Sequence, residues 1–294
     1  MRKYHNDHHG HIDIKMMNVK TPITIFGASG TIGKKLSERL ADYSPWTPSR
    51  EEVDQFTDRK MGTVFYCIGK TVNFREDTQE TIDTHVNLLN RILNHGQFNK
   101  LIYCSSTRVF DNLEWNVASE GAMLSISPKD PHYLYQLSKL LGEWLCLNDP
   151  KKRAVVVRMS NIYGTPGCGV GFLPCLLSEL ANGATSLSLS ALANGQRDYL
   201  FIDDLIDMLL LVAQSNQHDL YNLASGESIH NLALFDFLRK KTACEFLLNL
   251  DDQPIHTPTI EIDRFVEEYQ YRPPSFWQRL EEVLDKMGLL THAD

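Results

Sequence analysis

Tyr135 and Lys139 stand four residues apart in the run HYLYQLSKLLGEW. On a helix that spacing puts both side chains on one face, one turn apart. A tyrosine of ordinary pKa ~10 is a poor base at neutral pH, but an ammonium at close range favours its phenolate, typically by ~1 to 3 pH units. Such a pair can exchange a proton with a hydroxyl or carbonyl. The spacing alone is common, and Tyr66 and Lys70 repeat it in this chain. That second pair straddles a strand end and a loop, where four residues bring nothing together, so Tyr66 reads as core. Ser105, Ser106 and Thr107 close the apolar run KLIYCSS. A hydroxyl at the carboxyl end of a strand can donate to the same substrate oxygen.

Gly27, Gly30 and Gly33 form GASGTIG, between an apolar run and a helical pattern. A helix N-terminus with close backbone access suits a pyrophosphate. The residues expected to hold a dinucleotide are therefore Gly27, Ser29, Gly30, Thr31, Ile32 and Gly33, with Tyr135 and Lys139 toward its nicotinamide end. The alternative is a tight turn that merely packs against its own helix. About ~20 positions on, where an NAD site usually carries an acid, the chain reads Ser44-Pro45-Trp46-Thr47-Pro48-Ser49-Arg50. Arg50, with Ser49, suits a 2'-phosphate, so the expectation is NADP or NAD with a lean to NADP. Pairing of Arg50 with Glu51 or Asp54 is the competing reading.

These residues need elements to hold them. Ile23 to Gly27, Thr63 to Ile68, Lys100 to Ser105 and Ala154 to Met159 read as buried strands. Thr31 to Tyr43, Thr81 to Leu93 and His132 to Leu147 carry apolar residues at helical spacing. Strands buried on both faces and separated by helices predict an α/β fold, a Rossmann-like doubly wound parallel sheet. After Gly164 glycine and proline cluster, and shorter mixed elements follow. The expected organisation is an extension over 1–20, a dinucleotide-binding domain over 21–163, and a smaller interleaved substrate lobe over 164–294. A segment at about 198–215, containing the apolar helix Asp203 to Ala213, is expected to return to the main domain.

The chain has 294 residues, 22% of them charged, and a net charge of -8. That length supports a sizeable core, and the charge gives no basic footprint for nucleic acid. The six cysteines form no CxxC pair, and Cys67, Cys104 and Cys146 read as reduced core residues. No apolar run approaches the roughly 18 residues of a membrane span, so a soluble, cytoplasmic protein is expected. His5, His8, His9 and His11 read as a polar tail rather than a metal site.

Taken together, the glycine motif, Tyr135, Lys139, RMSNIYG (158–164), RDYLFIDDL (197–205) and YNLASGESI (221–229) resemble the extended short-chain dehydrogenase/reductases, of the NAD-dependent epimerase/dehydratase kind, from about Pro22 to Leu290. The resemblance implies catalysis by Ser106, Tyr135 and Lys139. Ser106 is selected because the family's catalytic Ser or Thr stands three residues before the Val of a V-Y-G turn, here Val109-Phe110-Asp111. It further implies substrate contacts from Ser106, Thr107, Asn161 and Phe172, with Arg197 on a nucleoside diphosphate sugar, and homodimerisation through the helices around Thr81 to Leu93 and His132 to Leu147. The nucleotide-sugar dehydratases carry an Asp-Glu pair where this chain has Thr107-Arg108, so dehydration is disfavoured. The epimerase-reductases that make GDP-fucose have Cys at the position of Arg108. The family's second phosphate arginine is not evident, with Arg264 and Arg272 as substitutes, and His85 stands where many members have Asn. The implied activity is hydride transfer on a nucleotide sugar, as a 4-ketoreductase or a C4 epimerase. The alternatives are a reductase of another small carbonyl compound and a non-catalytic dinucleotide sensor.

Overall fold

The computed structural model describes residues 21–111, 113–189, 195–248 and 257–290. The expected extension over 1–20 lies outside them. The chain forms two compact units. One runs to Val109 and takes in Ile126–Arg158 and Leu205–Tyr221; the other comprises Phe110–Ser125, Met159–Asp204 and the chain from Asn222 onward.

The first unit is built on a five-stranded parallel sheet, as expected for a Rossmann-like fold. Its order is β1 (Ile23–Phe26), β2 (Lys60–Tyr66), β3 (Gln97–Ser106), then Ala154–Met159 and Leu220–Leu223. The last of these strands was not foreseen, because Tyr221 to Leu223 are read in the sequence only as part of a motif. In-register parallel pairing runs from Ile23 with Thr63 to Phe26 with Tyr66, and from Thr63 with Lys100 to Tyr66 with Tyr103. The carboxyl ends of β1, β2 and β3 therefore lie at one edge of the sheet.

On the other side of β1 a single residue, Trp46, forms a parallel bridge with Thr24. The Trp46 amide donates to the Ile23 carbonyl, and the Ile25 amide donates to the Trp46 carbonyl, both at 2.9 Å. Pro45 and Pro48 flank it, and a proline has no amide to extend a ladder. Strand pairing stops at one bridge for that reason. After β1 the chain thus crosses first to Trp46 and then back past β1 to β2. This places a topological switch at the carboxyl end of β1, where open α/β sheets bind ligands.

Four helical stretches matter to the site. α1 (Thr31–Arg39) follows β1 and is shorter than the expected Thr31 to Tyr43, because the chain tightens into a 3-10 turn at Ala41–Tyr43 and Ser44 turns left-handed at φ 48°. α2 (Thr78–Ile82) passes through a π turn, Asp83–Asn87, into α3 (Leu88–His95). α4 is Leu134–Leu147. Phe26, Val64, Tyr66, Leu89, Ile92, Leu101, Tyr103 and Val156 form the core between sheet and helices. Within it, the carboxylate of Glu143 on α4 accepts from Arg158 Nε at 3.1 Å and Nη2 at 2.7 Å, and from the Ser105 hydroxyl at 2.5 Å. Both ionic partners are buried. Removing either one from such a pair typically costs ~3 to 5 kcal/mol, so this cluster pins the end of β3 to α4.

The second unit is assembled from short pairings. Asn161–Tyr163 runs parallel to Tyr199–Phe201, and Gln196–Arg197 runs antiparallel to Ile229–His230. Rings of Tyr163, Tyr199, Phe201 and Phe276 pack on one another at 5.5 to 6.4 Å. Arg279 makes a two-pronged bond to the buried Asp204 at 2.6 and 2.9 Å. Among the described residues no helix is long and apolar enough to cross a membrane.

Candidate active site

The glycine turn leaves β1 at Gly27, whose φ of 85° is left-handed and whose Cα faces the backbone of Cys67. A side chain is excluded there twice, by strain and by space. At Gly33 a Cβ would run into the Gly27 carbonyl oxygen and lie 2.7 Å from the Gly27 carbonyl carbon. Gly30 is the N-cap of α1 and supplies no side-chain cap. Its amide donates to the Gly27 carbonyl at 3.0 Å and its own carbonyl accepts from Lys34 at 2.8 Å. The first amides of α1, those of Thr31, Ile32 and Gly33, therefore have no cap at the sheet edge, and Ser29 and Gly30 beside them are exposed. An uncapped helix start approached by backbone alone fits the pyrophosphate of a dinucleotide.

Arg50 follows the Trp46 bridge, the position from which a ribose would be read. Its side chain is 93% exposed and pairs with Glu80 at 2.9 Å. The competing partners expected from sequence, Glu51 and Asp54, are not used; Asp54 pairs with Arg91 at 2.6 Å. Lys70 also donates to Glu80, and to Asp77 at 3.1 Å. A 2'-phosphate on Arg50 would compete with the Glu80 carboxylate.

Tyr135 and Lys139 occupy the first two turns of α4, and each is only 3% exposed. The Lys139 ammonium donates to the Cys104 carbonyl at 2.9 Å, two residues before Ser106. Burial brings its pKa down to about 8. Gly69 keeps space above it, since a Cβ there would sit 3.3 Å from Lys139 Nζ. The other tyrosine-lysine pair does no comparable work: Tyr66 is fully buried, and its hydroxyl donates to the Thr84 carbonyl at 2.5 Å.

Of the three hydroxyls ending β3, Ser105 is committed to Glu143 and Thr107 is buried. Ser106 is half-buried, and its Oγ accepts the Arg108 amide at 3.2 Å.

Two neighbours of Tyr135 had no role assigned from sequence. The Arg108 guanidinium carbon lies 4.5 Å from the centre of the Tyr135 ring. The His85 ring stands edge-on to it at 5.5 Å. His85 Nε2 accepts the Lys70 amide at 2.9 Å, so the proton sits on Nδ1 and is donated to Ser138 Oγ at 2.8 Å. Ser138 in turn donates to the Tyr135 carbonyl at 2.9 Å. Burial, aided by the charge of Lys139, pushes the His85 pKa down to about 2 and keeps the imidazole neutral. The sequence signals were present as departures from the family pattern at both positions, but only the π turn shows where His85 points.

In the second unit, the Asn161 amide donates to the Asp198 carbonyl at 2.9 Å. Arg197 makes no ion pair with the adjacent Asp198. The buried Asp198 carboxylate accepts instead from the Ser225 amide, the Ser225 hydroxyl and the Gly226 amide at 2.8 to 3.0 Å. Among the described residues Arg197 makes no ion pair. Phe172 opens the helix Phe172–Ala181 and packs edge-on against Phe235 at 6.0 Å. Arg264 lies 3.9 Å from Glu120, and Arg272 lies 3.8 Å from Asp263. Among the described residues no cluster of three or more His, Cys, Asp or Glu could hold a metal ion.

The NAD dependent epimerase/dehydratase family model matches residues 23–224. No curated protein matches the chain in sequence. Solved structures match it in fold. An RMD from Pseudomonas aeruginosa complexed with NADPH aligns at TM-score 0.72 and 22% identity, covering 91% of this chain and 99% of that one. A point mutant of a UDP-glucuronic acid 4-epimerase from Bacillus cereus, with NAD and a fluorinated UDP-glucuronic acid, aligns at 0.72 and 19%, covering 91% and 99%. A dTDP-glucose 4,6-dehydratase from Bacillus anthracis, with NAD, aligns at 0.70 and 18%, covering 90% and 96%.

Proposed function

Because the chain belongs to the NAD dependent epimerase/dehydratase family, we propose that it is a nicotinamide-dependent oxidoreductase of a nucleotide sugar, either a 4-ketoreductase or a C4 epimerase. The observation that carries the reading is the buried Lys139 ammonium, hooked to the Cys104 carbonyl one helical turn from Tyr135 and two residues from Ser106. An NAD or NADP held at the Gly27–Gly33 turn would supply the acceptor or donor of hydride. The chain's own residues handle the proton.

In the oxidising direction Ser106 donates its hydroxyl proton as a hydrogen bond to the substrate oxygen, and the Tyr135 phenolate takes the substrate hydroxyl proton as hydride leaves the same carbon. In the reducing direction Tyr135 returns that proton to the carbonyl oxygen. Lys139 holds Tyr135 toward its ionised form and would hold the nicotinamide ribose of a bound cofactor. Asn161, Phe172 and Arg197 are the candidates for the sugar nucleotide, and a guanidinium fork suits a diphosphate. Arg108 stands where a dehydratase of the resembled kind has an acid, and a guanidinium cannot give up a proton at ordinary pH. Simple redox chemistry at one carbon is favoured over dehydration for that reason.

A homodimer is part of this reading. Leu137, Leu141 and Trp144 form an exposed apolar stripe along α4, Trp144 being 60% exposed, and sedimentation of the native chain tests it. The activity is tested by supplying NADPH or NADH with a 4-keto nucleotide sugar. Stoichiometric loss of reduced nicotinamide identifies a reductase, and tightly held cofactor with interconverted sugars identifies an epimerase. A chain that gives neither result overturns the reading.

A further inference from the structure

We infer that Cys67 and Cys104 form a redox-active dithiol beside Lys139, which a peroxide closes to a disulfide. The pairing is independent of the reaction proposed above; its effect on nucleotide binding rests on that reading. Each cysteine stands one residue beyond the register pair Tyr66 and Tyr103 of β2 and β3. Side chains alternate along a strand, so both sulfurs project to the face opposite the Tyr66 and Tyr103 rings, which pack on each other at 5.9 Å. The two Sγ atoms are 3.7 Å apart, and both thiols are free. Neighbouring strands run ~4.8 Å apart, inside the Cα separation of roughly 4.4 to 6.8 Å that a disulfide accepts. The bond can therefore form with the strand order intact.

Cys67 is half-buried and Cys104 is buried, so a small oxidant meets Cys67 first. The Cys104 thiol bonded to it, together with burial, raises the Cys67 pKa well above the ordinary thiol value, and the charge of Lys139 from α4 opposes this. The resting pair is thus protonated and slow to react at neutral pH. Its oxidation quickens as the pH rises, because the thiolate is the nucleophile. The Cys67 thiolate attacks one oxygen of hydrogen peroxide, the O–O bond breaks, and the departing hydroxide takes up the proton that Cys67 released. The sulfenic acid so formed is attacked by the Cys104 sulfur; the S–O bond breaks and water leaves with the second thiol proton. The two sulfurs lose two electrons, which the peroxide oxygens gain, and the products are one disulfide and two waters.

Closure acts on two parts of the site. The Cys104 carbonyl holds Lys139 Nζ at 2.9 Å. The Cys67 amide donates to the Phe26 carbonyl at 2.9 Å, and the Cys67 carbonyl carbon lies against Gly27, where a Cβ would stand 2.9 Å from it. Drawing the sulfurs together from 3.7 Å to the ~2.05 Å of a disulfide pulls on the lysine hook and on the glycine turn at once. The disulfide form is expected to bind reduced nicotinamide nucleotide several-fold more weakly than the dithiol.

The test uses the full chain with the exposed Cys175 replaced, Cys175→Ser, so that no bond between molecules competes. The folded protein is treated with hydrogen peroxide at mildly alkaline pH, its remaining thiols are alkylated, and a non-reducing digest is read by mass spectrometry. The expected product joins the Cys67 and Cys104 peptides with the loss of two hydrogens. A fluorescence titration with NADPH or NADH is expected to weaken several-fold on oxidation and to recover with dithiothreitol, which does not reverse methionine or higher cysteine oxidation. Cys67→Ala is expected to remove that reversible change, and Cys104→Ala serves if the first variant does not fold. Absence of the joined peptides overturns the inference. Joined peptides with unchanged nucleotide affinity overturn the coupling to Lys139 and the glycine turn. Failure of the underlying reading is seen separately, as a reduced protein that binds no nicotinamide nucleotide, and the mass spectrum still decides the pairing.

Discussion

Lys139 Nζ and the carbonyl of Cys104 lie 2.9 Å apart, and that one bond ties the helix carrying Tyr135 to the strand that ends in Ser106. Among the described residues the buried lysine makes no ion pair, and the more distant charge of Glu143 offsets its burial in part. Its placement has a cost that a purely structural residue would not need, and the cost depends on pH.

The pKa of Lys139 is lowered from 10.5 to about 8 by burial. Below pH 8 the folded chain carries a buried charge. Between pH 8 and 10.5 the unfolded chain binds more protons than the folded one, so stability rises with pH in that window. Replacing Lys139 with Met removes the term. In urea unfolding without cofactor, the wild type is expected to gain stability relative to Lys139→Met as the pH is raised from 7.5 to 9.5. Nucleotide binding and turnover of the variant are expected to fall at both values. A stability difference that stays constant across the window would contradict the burial argument.

His85 gives the opposite limb. Its folded pKa of about 2 lies far below the ordinary 6.5, so its contribution is full above about pH 6.5 and is lost steadily as the pH falls toward 2. The loss is about 1.4 kcal/mol per pH unit, or roughly 2 kcal/mol by pH 5. His85→Asn removes the titrating group, and its denaturation midpoint is expected to depend less on pH between 7 and 5 than that of the wild type. Equal pH dependence of the two would show that His85 is not held neutral.

The glycine turn makes a prediction by contrast. A methyl group at Gly30 meets the Gly27 carbonyl oxygen at an approachable 3.4 Å, whereas at Gly33 it collides with the turn's own backbone. Gly30→Ala is expected to fold with a near-normal melting temperature and to bind NAD(P)H more weakly, by tenfold or more in a fluorescence titration, because the methyl stands at the helix entrance. Gly33→Ala is expected to lose both stability and binding. Unchanged nucleotide affinity in Gly30→Ala would place the pyrophosphate elsewhere.

Much of this arrangement was legible in the sequence, because its physics is local. The β-branched run before Gly27 and the helical spacing after it specify strand, turn and helix with no help from distant residues. Tyr135 and Lys139 could be separated from Tyr66 and Lys70 by helix periodicity alone. What could not be read depends on chain segments far apart in sequence meeting in space. Arg50 finds Glu80, thirty residues away, and not its near neighbours. His85 reaches Tyr135 only because a π turn rotates it toward α4. The carboxylate of Asp198 is claimed by the turn at Ser225 and Gly226, which no spacing rule relates to it. Trp46 stands in the stretch read only for a ribose-binding acid, and its strand-like bridge to β1 becomes visible only once β1 is seen to accept it.

The account depends most on Tyr135 as the group that moves the proton. The decisive measurement is single-turnover oxidation or reduction of nicotinamide by Tyr135→Phe, with a 4-keto nucleotide sugar or the corresponding alcohol and with cofactor binding verified independently. The chemical step is expected to fall by ~10² to 10⁴-fold while nucleotide affinity stays close to wild type. Wild-type turnover in Tyr135→Phe would contradict the mechanism.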